Sequence, residues 1–529
     1  MSVELDYRRV KDPSALLMAA LADGGDFEGE LRRAVGEAEV VEAILEPSTP
    51  QDFKPRMVAD LFLAEGPAPS GYGLGAESRG WTLRLHRGKW FRFDGRVFIE
   101  CPTEELSARV AAFIRSRKWM LEKRGEAYEV PGDATAATLR NVLANLSGGT
   151  DVPMPSEVDL PVWRDGGRAD RSLVLRNGIL DLNRWFRDRD DAMRPHTPDL
   201  VTLNLLPYNY DPLARCPRWE AFLEEVLPDV ELRETLAEWF GYCLVPTQAY
   251  QRFAVLQGEG SNGKSVTVGI LRRLIGEKNC SSVPLEMLHL PHSMEPLVGA
   301  LLNVATEWSN VDAGGIAALK RISGGDVIHV NPKGTKGYDA LLPTRFVVVV
   351  NDPPVVPDRA PAIWRRMMIF PFAVEIPLER RRPFELFLDE LSSELPGILI
   401  WALEGLRRLV ERGRFEEPAA MLLRKVAMIA SSNPAVAWCE DFLTWEDVHP
   451  TRDWVTCDGA YQHYRDYCEK AGRGALSKSH FSQEVDRFLR QRRGQGLERT
   501  PSGGLPMRSS AKGKTRVYLG VTVEELEAV

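Results

Sequence analysis

The segment Gly258-Glu-Gly-Ser-Asn-Gly263-Lys264-Ser265 constrains this chain more than any other stretch. It fits G-x4-G-K-[ST] at every fixed position, between an apolar run, Phe253–Gln257, and a helix-like segment, Val266–Ile275. Glycines at that spacing let backbone N–H groups turn inward around a polyphosphate, so Gly258, Gly260, Ser261, Asn262, Gly263, Lys264, Ser265 and Val266 form the expected nucleotide-binding stretch. Lys264 supplies a point charge to the β and γ phosphates, and the Ser265 hydroxyl reaches Mg2+. The implied ligands are ATP and Mg2+, and the implied chemistry is ATP hydrolysis.

The surrounding block, about residues 250–375, alternates strands and helices as a parallel α/β sheet does. Its runs FAVLQ, LLNVAT, FVVVVN and MMIFPF are continuously apolar, as in strands covered on both faces. Leu301–Thr306 leads into Glu307, a carboxylate suited to holding Mg2+ or activating water. Lys320-Arg-Ile-Ser-Gly324-Gly325-Asp326 leads into a hairpin, VIHVNPKGTKGYDA, whose tip carries Lys333 and Lys336. Phe346–Val350 ends in Asn351, which can orient an attacking water. Trp364-Arg365-Arg366-Met367 sets two arginines ahead of a further strand, where one could stabilise transition-state charge on a neighbouring subunit's nucleotide. Singly, each has an ordinary explanation, such as a turn cap or a solvated helix end.

The order of these motifs resembles the superfamily 3 helicases, and more narrowly the helicase portion of the phage/plasmid and poxvirus-type primase-helicase family. The likeness rests on GEGSNGKS (258–265), Glu307, LKRISGGD (319–326), FVVVVNDPP (346–354) and IWRRMMIFPF (363–372). Upstream, LRNGILDLN (175–183), HTPDLVTLNLLPYNYDP (196–212) and CPRWEAFL (216–223) look like the segment preceding the ATPase in that family. GAYQHYRDYCEKAG and LSKSHFSQEVDRFL, within 459–489, look like its terminal DNA-binding module. The resemblance spans about residues 75–520 and implies a ring-forming AAA+ ATPase, usually hexameric, that translocates on single-stranded DNA and unwinds forked duplex.

By position, it implies nucleotide and Mg2+ binding at Gly258, Gly263, Lys264 and Ser265, a motif B acid at Glu307, a sensor at Asn351, DNA contact by Lys333 or Lys336, and a trans-acting finger at Arg366 or Arg365. Two positions depart from the pattern. Thr306-Glu307 replaces a frequent acidic pair, so metal binding and base catalysis both fall on Glu307 or draw on a second carboxylate such as Asp326. Val350 stands where Ser or Thr often precedes the sensor.

At 529 residues the chain exceeds one core and divides into several domains. The expected division is an α+β N-terminal region (1–165), a helical module (166–246), the P-loop AAA+ parallel-sheet ATPase (247–405) and a C-terminal helical, winged-helix-like module (406–529). Short helices are expected over 1–50, a β-meander over Trp81–Glu100 and a helix over Ser107–Lys123. The meander's Arg84, Arg87, Lys89 and Arg92 alternate with Trp90, Phe91 and Phe93, a pattern that favours core packing over a nucleic-acid face. A hairpin is expected over Ser172–Leu182, helices over Arg218–Val226, Glu231–Tyr242 and Pro383–Arg412, and a linker near Ser431–Pro434.

Helices over Val455–Ala471 and Ser479–Arg490 followed by a strand at Arg516–Gly520 give the winged-helix order. The net charge of −8 offers no global attraction for nucleic acid, yet Arg473–Arg516 carries eleven Lys/Arg against three Asp/Glu, a local footprint for phosphate. The seven scattered Cys form no CxxC, and Cys457, His463 and Cys468 match no zinc spacing. No signal core and no membrane-length apolar run occur, so a soluble protein of the prokaryotic cytoplasm, or of a phage or mobile element there, is expected. No paired-carboxylate motif precedes residue 75, so priming is expected from a separate primase. The competing readings are a nucleotide-switched initiator or helicase loader without processive unwinding, and an RNA or packaging motor on the same core.

Overall fold

The computed structural model describes residues 51–65, 82–123, 126–149, 151–308, 311–334, 336–351, 361–444, 454–470, 474–494, 507–512, 515–519 and 522–523. The chain divides into two compact units, the smaller comprising residues 1–68, 79–81 and 102–152 and the larger the remainder. In the smaller unit, helices Pro55–Glu65, Thr103–Arg115 and Ala136–Ser147 accompany a sheet in which Lys118–Lys123 pairs in parallel with Gln51–Asp52 and antiparallel with Glu126–Pro131. The helix expected over Ser107–Lys123 therefore stops at Arg115. Trp119 is buried beyond it, donates its indole N–H to the Ile114 carbonyl at 2.9 Å and packs against Phe113, so strand pairing overrides local propensity there.

The larger unit is organised by five parallel strands: β1 (Phe253–Gln257), β2 (Cys280–Ser281), β3 (Leu302–Ala305), β4 (Arg345–Val350) and β5 (Met367–Pro371), in the order β2-β3-β4-β1-β5. Alternate residues of the same strands enter two separate cores. Ala254, Leu256, Val347, Met368 and Phe370 pack with helices α1 (Pro217–Val226), α2 (Val230–Leu244), α3 (Lys264–Ile275) and α7 (Leu395–Arg412). Phe253, Val255, Val348, Met367 and Ile369 pack with α4 (Ala313–Gly324) and with the hairpin Val327–Val330/Tyr338–Leu341. Burial on both faces explains the unbroken apolar runs. Between β4 and α7 lie α5 (Pro361–Arg366) and α6 (Phe384–Ser392).

Arg345 fixes the start of β4. Among the described residues it is buried without a carboxylate partner. Its guanidinium donates to the Pro343 and Val245 carbonyls at 2.7 and 3.1 Å and lies 3.7 Å from the Tyr242 ring centroid. The meander is present as Leu83–His86, Lys89–Phe93 and Phe98–Glu100, with Arg84, Trp90, Phe91 and Phe98 buried, so core packing accounts for its basic-aromatic pattern. The hairpin Ser172–Leu175/Gly178–Asp181 gains Met193–Arg194 as a third strand.

Helix α8 (Ala419–Ser432) and helix Pro434–Phe442 meet at Asn433, whose side chain caps the second helix, so a helix junction stands at the expected linker. Strand Trp454–Thr456, helices Cys457–Lys470 and Lys478–Gly494, and strands Met507–Lys512 and Thr515–Leu519 follow, the three strands forming an antiparallel sheet. Trp438, Tyr464, Phe481 and Tyr518 form the core of this region. Residues 1–50, Trp81 and most of the basic stretch Arg493–Lys514 lie outside the described residues. No described helix is long and apolar enough to cross a membrane.

Helices α2 and α7 approach through two glycines. A Cβ on Gly241 would lie 2.3 Å from the Ala402 oxygen, and one on Gly405 2.3 Å from the Ala237 carbonyl carbon. Gly405→Ala should therefore lower stability by about 1–3 kcal/mol through overpacking. An unchanged denaturant midpoint would contradict this packing.

Candidate functional site

The turn from β1 into α3 is the 258–265 segment, and its conformation follows from its residues. Ser261 and Gly263 have φ values of 59° and 87°, the left-handed region that glycine enters without cost. A Cβ at Gly258 would lie 2.1 Å from the Phe372 oxygen, and one at Gly263 2.8 Å from Val226 Cγ1. Both positions thus need glycine for space, and Gly263 needs it for backbone conformation as well.

Asn262, a buried side chain, donates to the carbonyls of Glu259 and Phe372 and ties the loop to the residue after β5. The Ile376 amide closes a second tie on the Ser261 carbonyl at 2.9 Å. Lys264 opens α3 with its side chain folded back, its Nζ donating to the Glu259 carbonyl at 3.1 Å, to Asn262 Oδ1 at 3.0 Å and to the Gly258 carbonyl. Partial burial lowers its pKa from the usual lysine value. A cation held in carbonyl dipoles above the amino end of α3 is ready to exchange those dipoles for an anion.

The loop opens on a cavity of about 640 Å³ that Gly260, Asn262, Gly263, Lys264, Ser265 and Val266 help line. That volume lies within the range of small-molecule sites. Asn351, exposed just beyond β4, lines the same cavity. So do residues without any motif: Arg218, the run Arg380-Arg381-Arg382, and Phe222, Phe384 and Phe387. Three consecutive arginines after Pro377 were the available signal, but nothing in the local spacing connects them to a loop more than a hundred residues away.

Glu307 is exposed two residues past the end of β3. Because β4 separates β3 from β1, it lies at the same carboxy edge of the sheet but about 10 Å across it, two strand spacings away. It is not among the residues lining the cavity.

Arg365 and Arg366 end α5 and precede β5, at the opposite edge. The register pairs Met367 with Phe253 and Pro371 with Gln257, so a full strand, about 16 Å, separates the arginines from the loop. Arg366 is half-buried; its Nη1 donates to Ala362, while its Nε is buried with no hydrogen-bond partner. Burial lowers its pKa, as does neighbouring Arg365, against an opposing pull from Asp326. Asp326 thus lies with Arg366 rather than in the cavity beside Lys264. Lys333 and Lys336 are exposed in the turn of the Val327–Leu341 hairpin, where Gly334 has φ +75°.

Burial disfavours the thiolate form at four of the cysteines. Cys216 and Cys280 are pushed up to about 12 by burial, and Cys243 and Cys439 also rise well above the usual thiol range. Cys457 and Cys468 are buried in the C-terminal core, and the Trp438 indole donates to His463. Among the described residues no group of three His, Cys, Asp or Glu could hold a metal.

Residues 78–228 match a family model described as D5 N terminal like. Residues 256–366 match a family of unknown function, DUF5906, a span running from the end of β1 to Arg366. The chain is also similar to solved apo structures of the NrS-1 C terminal region. One has 12% identity and a TM-score of 0.43 over 83% of this chain and 96% of that chain; a second has 11% and 0.43 over 84% and 96%.

Replacing Gly263 by alanine should cost about 1–3 kcal/mol, since it puts a Cβ both in a left-handed conformation and against Val226. Thermal unfolding that matches the unsubstituted chain would contradict the geometry of the loop.

Proposed function

We propose that this chain is an ATP-hydrolysing, ring-forming AAA+ motor of superfamily 3 that moves on single-stranded DNA and unwinds duplex in a phage- or plasmid-type replication system. One observation carries the reading. A glycine-rich strand-to-helix loop with an ordered lysine shares its cavity with Asn351, while Arg365 and Arg366 stand about 16 Å off at the other edge of the same sheet. An arginine so far from its own loop would act on the loop of another copy. The D5 N terminal-like match over 78–228 supports the reading, because it covers the segment that the resemblance assigns to the region ahead of the motor.

In this reading the loop amides and Lys264 cradle the β and γ phosphates of ATP, and Asn351 orients the attacking water. The oxygen donors of Ser265 and Glu307 suit Mg2+, which when bound would neutralise charge developing on the β and γ phosphates. Arg366, or Arg365, reaches the phosphate of the adjacent subunit and stabilises the transition state. Lys333 and Lys336 contact the DNA backbone inside the ring. We further propose a hexameric assembly, a separate primase partner, a winged-helix-like DNA-binding module within 406–529, an ATPase domain over 247–405 preceded by 1–165 and 166–246, and a cytoplasmic setting.

Lys264→Ala should abolish DNA-stimulated ATP hydrolysis and strand displacement, with a loss of roughly a hundredfold or more when a phosphate-binding charge is removed. Because each site borrows an arginine, mixing inactive Arg366→Ala with inactive Lys264→Ala should restore part of the activity. No recovery at any ratio argues against the intersubunit site. ATP-dependent DNA binding without displacement of even a short annealed strand would instead favour an initiator or loader.

A further inference from the structure

The hairpin bearing Lys333 and Lys336 forms a two-stranded sheet of its own, separate from the parallel sheet. Isolated two-stranded hairpins are marginal in water, so something else must set its angle. Ile328, Val330 and Ala340 anchor its inner face in the core, while Val327 and Leu341 at its open end are exposed. An apolar face alone permits sliding and tilting. A directional contact at the root does not.

Such a contact comes from the meander. Arg87 occupies its first turn, at φ 51° beside Gly88, yet its side chain is only 7% exposed. The guanidinium pairs with Asp159 Oδ1 at 2.6 Å and donates to the Ser156 and Val158 carbonyls at 3.0 and 3.4 Å. It also lies 4.4 Å from the centroid of the Tyr338 ring. The second carboxylate oxygen of Asp159 accepts the Leu341 amide at 3.1 Å. Tyr338 and Leu341 are the first and last residues of the hairpin's returning strand, so one ion pair grips both of its ends. Lys89, two residues on, reaches Glu295 and Glu100 at 3.5 Å and steadies the same turn.

We propose that Arg87, through Asp159 and Tyr338, is a positioning residue that fixes the root of the Val327–Leu341 hairpin and so sets where Lys333 and Lys336 meet DNA. A desolvated guanidinium is a poor way to add stability but a good way to specify one geometry, because its planar fork and its ring contact are both directional. The DNA part of the proposal rests on the motor reading above; the mechanical part does not.

The test uses the full chain and two readouts. Amide hydrogen exchange over the hairpin, without nucleotide or DNA, should accelerate by about tenfold in Arg87→Ala, the effect of losing one charge-assisted contact. Arg87→Lys keeps the charge but not the fork and should recover part of the protection; Tyr338→Leu keeps apolar bulk without a π-face and should lose part of it. In the same variants basal ATPase should hold, while the concentration of oligothymidylate giving half-maximal stimulation rises severalfold. Unchanged hairpin exchange in Arg87→Ala overturns the proposal. Should that variant not fold, unchanged exchange in both Tyr338→Leu and Asp159→Asn overturns it equally. If the unsubstituted chain shows no DNA-stimulated ATPase, the motor reading fails, and the exchange result alone decides whether Arg87 braces the hairpin.

Discussion

The site depends on the parallel pairing of β1 with both β4 and β5. Because β1 lies between them and the strands run together, everything that follows a strand gathers at one edge and everything that precedes a strand gathers at the other. The 258–265 loop and Asn351 fall at the first edge, Arg365 and Arg366 at the second. No side-chain rearrangement within one chain bridges the length of a strand. The sheet thus separates the two halves of the proposed chemistry, and in the proposed ring a second subunit would bring them together.

The same pairing gives the loop its rigidity. Phe372 directly follows β5, so its carbonyl is fixed by the sheet, and Asn262 hangs the loop from it. The Ile376 amide holds Ser261 from the next few residues of the same segment, which continues into Arg380–Arg382 and α6. The loop, the arginine run and the aromatic wall of the cavity are therefore one connected piece. Among the described residues Lys264 is held in carbonyl dipoles rather than against an acid, so in the proposed site a phosphate would displace weak partners and break no ion pair.

Much of this was legible in the residues because the signals were local. The strand Phe253–Gln257, the G-x4-GKS turn, the helix after it, the hairpin at 327–341 and the continuous apolar strands were all recognisable from composition and spacing. What was not legible depends on partners far away in sequence. The helix expected to run to Lys123 stops at Arg115 because Trp119 and two pairing strands claim the next segment. Asp326 reads as a spare carboxylate for the nucleotide, yet the fold turns it toward Arg366. Arg380–Arg382 reach the cavity only because α6 folds back beside α3. Arg87 looks like one more basic residue in a meander until Asp159 and Tyr338 close around it.

Electron microscopy of the chain with a non-hydrolysable ATP analogue and forked DNA would show whether the two edges of the sheet meet between subunits. Closed rings are expected, in which Arg366 or Arg365 of each protomer faces the Lys264 cavity of its neighbour, with the Lys333/Lys336 turns lining a channel around one DNA strand. Monomers, or an assembly in which the arginine edge of the sheet faces solvent while nucleotide fills the cavity, would contradict that arrangement.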